Sequence, residues 1–89
     1  MTKVQIYSKS YCPYCKMAKA TLTQLGIDYE DFDVTNNKRL EDEMRQRSQR
    51  RTVPQIFIND FHLGGNDDLQ AALKSGKLNK LLRTQKQVA

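Results

Sequence analysis

The chain has 89 residues, room for one domain spanning 1–89 and none for a second core. Its 15 Lys and Arg against 10 Asp and Glu give a formal charge of +5, which suits a solvated surface, small anionic ligands or nucleic acid. Nucleic acid is disfavoured because no base-stacking aromatics accompany the basic residues, and no run approaches the ~18 apolar residues of a membrane span. Met1-Thr2-Lys3 leads straight into a strand-like segment rather than an apolar signal stretch, so a cytoplasmic monomer is expected.

Lys3-Val4-Gln5-Ile6-Tyr7 alternates polar and apolar residues, the pattern of a half-buried strand. Ser8 to Tyr11 reads as a loop. A helix is predicted to start near Pro13, whose missing N–H has no intrahelical partner to lose in a first turn. Cys15, Ala18, Leu22 and Leu25 recur at helical spacing, and Gly26 marks the stop. A second strand is predicted over Tyr29 to Val34, with Phe32 and Val34 on one face. Asn36 or Asn37 then caps a helix to about Ser48. Leu40 and Met44 form its buried edge, and Lys38–Asp42, Arg39–Glu43 and Glu41–Arg45 are i,i+4 pairs on its surface.

Gln55 to Ile58 and Phe61 to Leu63 are two short strands joined by an Asn59-Asp60 turn, with His62 read as solvent-facing. Gly64-Gly65 turns the chain into Asn66-Asp67-Asp68, a cap signature for a helix carrying Leu69, Ala72 and Leu73. Gly76 ends that helix. Leu78, Leu81 and Leu82 supply a last turn against the core, and residues 83–89 are expected to fray. The order strand, helix, strand, helix, hairpin, helix gives an α/β fold: a four-stranded mixed sheet flanked by helices on both faces.

Cys12 and Cys15 are too few for a secreted disulfide scaffold. A bridge between them would close a very short loop, contributing ~2 kcal/mol against ~3 for a 15-residue loop. Zinc would need two more ligands, and the chain has one histidine and no second CxxC. A strand leading into CxxC at a helix start is instead the signal of a thioredoxin-like redox domain. Thiol–disulfide exchange needs a thiolate, and Cys12 faces the free N–H groups and positive dipole end of the helix, with Lys9 and Lys16 nearby. Cys12 is the expected nucleophile. Cys15, one turn in on the apolar stripe, is kept neutral by desolvation and is suited to resolve.

Cys12-Pro13-Tyr14-Cys15, then Thr52-Val53-Pro54, then Gly64-Gly65 leading to Asp67-Asp68, resembles the glutaredoxin family over about Lys3 to Leu82, in its short bacterial-type, dithiol form. The resemblance implies a glutathione-dependent thiol–disulfide oxidoreductase that reduces protein–glutathione mixed disulfides and protein disulfides. Glutathione is its co-substrate, glutathione reductase is an indirect partner, and no metal is expected. Glutathione would lie across Tyr14, the Thr52-Val53-Pro54 loop and the Gly65 turn. Val53 would pair its backbone with the cysteinyl unit, and Pro54 would be cis. Lys9 and an arginine of the second helix region would hold the glycine carboxylate, with Arg39, Arg45, Arg47, Arg50 and Arg51 all candidates. Asn66 and Asp67 would meet the γ-glutamyl end.

Two other readings accompany this one. A glutaredoxin-like protein served by thioredoxin reductase would not need the Gly64-Gly65-Asn66-Asp67 turn that the glutathione-binding branch carries. A [2Fe–2S] carrier bridging two protomers with glutathione usually has glycine or serine where Pro13 stands here.

Overall fold

Strand β1 (Val4–Ser8) forms the spine of a four-stranded sheet ordered β2-β1-β3-β4. It pairs in parallel with β2 (Glu30–Asp33) and antiparallel with β3 (Gln55–Ile58), which hairpins into β4 (Phe61–Gly64). Helices α1 (Pro13–Gln24), α2 (Lys38–Ser48), α3 (Asn66–Ser75) and α4 (Lys77–Lys86) complete the fold. The computed structural model describes the backbone of residues 3–86 and the side chains of residues 3–82.

Alternation along β1 and β3 divides the core in two. Val4, Ile6, Ile56 and Ile58 meet Ala18 and Leu22 of α1, Leu69 and Ala72 of α3, and Leu78 of α4. On the other face Tyr7 and Phe57 meet Met44 of α2 and Val34, the residue after β2. Each large apolar side chain buried this way stabilises the fold by ~1.5–3 kcal/mol.

Several expectations are corrected in detail. The second strand is shorter than Tyr29 to Val34. It is an edge strand in which Glu30, Asp31 and Asp33 leave only Phe32 partly buried, though the Val34 N–H still reaches the Ser8 carbonyl at 2.9 Å. Asn37, not Asn36, caps α2, its Oδ1 accepting from the Leu40 N–H at 3.0 Å. Lys38–Asp42 and Glu41–Arg45 form as expected. Glu43 turns inward to the Tyr7 hydroxyl rather than outward to Arg39. The last helix runs past Leu82, so residues 83–86 are helical rather than frayed; residues 87–89 lie outside those described.

Candidate active site

Cys12 is the residue just before α1, in extended conformation, with Pro13 as the first helical residue. Neither a capping side chain nor an acidic residue occupies this first turn, so its N–H groups point at the Cys12 sulfur. Burial alone would push the Cys12 thiol up. The Cys15 N–H and thiol, the Tyr14 N–H and the Lys9 charge outweigh it, and the net displacement is downward. Lys9, named from sequence as a neighbour of this thiol, is the charge that lowers it.

Cys15 is a core residue with 0% exposure. Burial pushes its thiol up to about 12, reinforced by its hydrogen bond to Cys12 and the Cys12 charge, against the lowering effect of the Lys9 backbone. Both cysteines are free. One helix start therefore holds an activated thiol and a suppressed one.

The Thr52-Val53-Pro54 loop faces them. The Val53–Pro54 peptide is cis, as the resemblance implies, and the Val53 carbonyl oxygen lies 3.8 Å from Cys12 Sγ. A groove of about 250 Å³ runs along this loop. Tyr14, Thr52, Val53, Pro54, Gly65, Asn66 and Asp67 line it, together with Arg50 and Asp68. Seven of the eight proposed binding residues thus come together. The eighth, Lys9, lies outside the lining and sits 3.9 Å from Glu41, which also holds Arg45 at 3.5 Å.

Two glycines set how closely the far wall approaches. Gly65 passes the cis-proline loop so near that a Cβ there would touch the Pro54 carbonyl oxygen at 3.4 Å. Gly64 has φ +121°, and a Cβ on it would fall 2.2 Å from Asp68 Oδ2. That carboxylate is fixed: it accepts from the Gly65 N–H at 2.9 Å and from Arg50 Nη1 at 3.2 Å. The Gly65 N–H, then the Arg50 partner, hold its carboxyl below the usual range against the opposing effect of burial.

Asp68 is therefore the capping residue of α3, not Asn66 or Asp67, because Gly65 is the N-cap and Asp68 stands three residues on. Asn66 is buried and its Oδ1 accepts from Gln70 at 3.3 Å. Asp67 is exposed in the first turn, with no hydrogen bond to another side chain among the described residues.

Arg50 and Asp68 are the groove residues that sequence reasoning did not single out. Asp68 was legible as part of the Asn66-Asp67-Asp68 cap signature, without its position at the third helical residue being marked. Arg50 was one of five arginines. Arg47 is removed from the groove, its guanidinium 4.0 Å from the Phe57 ring centre and bonded to Gln5 and Tyr7. His62 is also corrected: it pairs with Phe57 across the hairpin, its ring 4.9 Å from the Phe57 ring, half-buried rather than facing solvent. Among the described residues no three His, Cys, Asp or Glu side chains gather as a metal site, and no helix is long and apolar enough to cross a membrane.

The sequence profile of the glutaredoxin family matches residues 4–63. Escherichia coli K12 glutaredoxin 3 is 46% identical over 83 residues, covering 93% of this chain and the whole of that protein. The solution structure of a Brucella melitensis glutaredoxin superposes with a TM-score of 0.83 at 45% identity, covering 99% of this chain and 96% of that one. A buckwheat glutaredoxin crystallised with glutathione superposes with a TM-score of 0.85 at 30% identity, covering 99% of this chain and 83% of that one.

Proposed function

The chain belongs to the glutaredoxin family and is a glutathione-dependent thiol oxidoreductase, and from that premise we propose that it reduces protein–glutathione mixed disulfides and protein disulfides, with Cys12 attacking and Cys15 resolving. The observation that carries the reading is the opposed state of the two thiols: Cys12 displaced downward at the helix mouth, Cys15 buried and pushed up to about 12. Of the two thiols, Cys12 is the one whose thiolate the site favours, and the thiolate is the nucleophile in exchange.

With a glutathionylated protein, the Cys12 thiolate attacks the glutathione sulfur. The old S–S bond breaks, the protein sulfur leaves as thiolate and takes up a proton, and a Cys12–glutathione disulfide forms. A second glutathione thiolate then attacks the glutathione sulfur of that disulfide. Glutathione disulfide departs and the Cys12 thiolate returns, for glutathione reductase to close the cycle.

With a protein disulfide, Cys12 attacks one sulfur and stays linked to the protein. Forming that bond removes the Cys12 charge, one of the effects that raise the Cys15 thiol. Cys15 then loses its proton to the departing protein thiolate and attacks Cys12 Sγ, leaving a Cys12–Cys15 disulfide. Two glutathiones reduce it.

The groove supports glutathione as the reductant. It leads away from Val53, whose backbone can pair with an extended peptide as a sheet edge does, toward the Asp67 carboxylate, a partner for an ammonium. The buckwheat relative was crystallised with glutathione, and its fold covers nearly all of this chain.

The test is reduction of a glutathionylated peptide coupled to glutathione reductase. Cys12→Ser abolishes turnover. Cys15→Ser retains reduction of the mixed disulfide and loses the glutathione-independent resolution of the Cys12–protein disulfide that forms from a protein disulfide. Activity in Cys12→Ser would overturn the assignment.

A further inference from the structure

The Thr52–Pro54 segment brings the Val53 carbonyl to Cys12, yet it belongs to no helix or strand. Gln55, the first residue of β3, is what holds it. Its side chain has 0% exposure, and its amide nitrogen donates to the Thr52 carbonyl at 3.0 Å and to Thr52 Oγ1 at 3.2 Å. Its amide oxygen lies 2.7 Å from His62 Nε2.

An amide oxygen only accepts, so the 2.7 Å contact requires a proton on Nε2. Reversing the amide would set its oxygen against the Thr52 carbonyl, acceptor facing acceptor. The imidazole N–H and the Thr52 carbonyl thus hold the buried amide from its two ends, the first donating to its oxygen and the second accepting from its nitrogen. The ring has little freedom of its own. It lies on Phe57 at an interplanar angle of 31°, and Phe57 also carries the Arg47 guanidinium 4.0 Å from its ring centre. Burial, then the Arg50 charge, with Arg47 adding to them and Asp68 opposing, displaces the imidazole below its ordinary range. The ring is thus neutral at neutral pH and has one N–H to give.

We propose that His62 is a positioning residue for the glutathione groove: through the buried Gln55 amide it fixes the Thr52–Pro54 segment against Cys12. The role rests on reading the groove as the glutathione site. His62 touches neither Cys12 nor the groove; it acts on where the loop stands. Its loss weakens use of glutathione and leaves the Cys12 thiolate, which the α1 N–H groups support, as it was.

His62 is the only histidine in the chain, so its ring-nitrogen signals in magnetic resonance are unambiguous. In the wild-type protein at neutral pH they should show a protonated Nε2 and a bare Nδ1. His62→Phe keeps the ring on Phe57 and removes the donor. It should raise KM for glutathione about five- to tenfold, the loss of ~1–1.4 kcal/mol of binding, with little change in kcat or in the Cys12 titration midpoint. His62→Gln, which returns an N–H donor, should recover most of the wild-type KM. A proton found on Nδ1 overturns the role, and that measurement needs no variant to fold. A folded His62→Phe with wild-type KM, or His62→Gln impaired as much as His62→Phe, overturns it equally. Absence of glutathione-dependent turnover in the wild type would overturn the functional reading instead.

Discussion

Cys12 and Cys15 stand three residues apart on one helix start, and their chemistry differs because only one of them is outside the core. The pH dependence follows from the signs. The Cys12 thiol is displaced downward, so ultraviolet thiolate absorbance of the Cys15→Ser protein should rise at a midpoint below the ~8.5 of a free cysteine. Alkylation at Cys12 should accelerate through the same pH interval. Cys12→Ser should show no thiolate below strongly alkaline pH, because burial keeps Cys15 protonated. A Cys12 midpoint at or above ~8.5 would remove the basis of its reactivity. This division was legible in the sequence, since CxxC after a strand fixes which cysteine faces the helix dipole.

Neighbouring acids on α3 divide two tasks between them. Asp68 caps the helix and holds Arg50, whereas Asp67 is exposed at the groove. Asp68→Ala should lower stability by ~0.5–1 kcal/mol, the usual capping loss reduced for a half-exposed site, as read by chemical denaturation. Because the Asp68 carboxyl is depressed in the folded protein, its contribution is present above the ~3.9 of an unfolded aspartate. It is lost as the pH falls through the folded value, so the difference between Asp68→Ala and wild type should shrink in acid. Asp67→Asn should instead leave stability unchanged and reduce kcat/KM for glutathione by ~fivefold, less in high salt. Gly64→Ala strains a left-handed backbone and displaces the cap together, with an expected loss of ~1–3 kcal/mol. The elements themselves were largely readable: Pro13, Asn59-Asp60, Gly26 and Gly76 mark their ends. The hairpin's cross-strand pairing, which seats His62 on Phe57, was not, because strand alternation alone does not say which neighbour a half-buried ring meets. The helical continuation to Lys86 was hidden by its polar residues.

At the scale of the molecule, the two apolar clusters share β1 and β3, so neither can open without exposing strands that the other needs. Leu22→Ala on one face and Met44→Ala on the other should each cost ~2–5 kcal/mol. Each should move one common unfolding transition, seen alike by tyrosine fluorescence and circular dichroism; two separated transitions would contradict that shared core. The same sheet carries the site. Through β1 it fixes the entry to α1 and Cys12, and through β3 it fixes the cis-proline loop on the far side of the sulfur. The central claim is that Cys12 takes the glutathione, rather than the protein, from a mixed disulfide. Cys15→Ser protein mixed with a glutathionylated peptide, acid-quenched and resolved by mass spectrometry, tests this directly. The account predicts glutathione linked to Cys12 and the peptide released as a free thiol. Peptide linked to Cys12 with glutathione released, or no transfer at all, would contradict it.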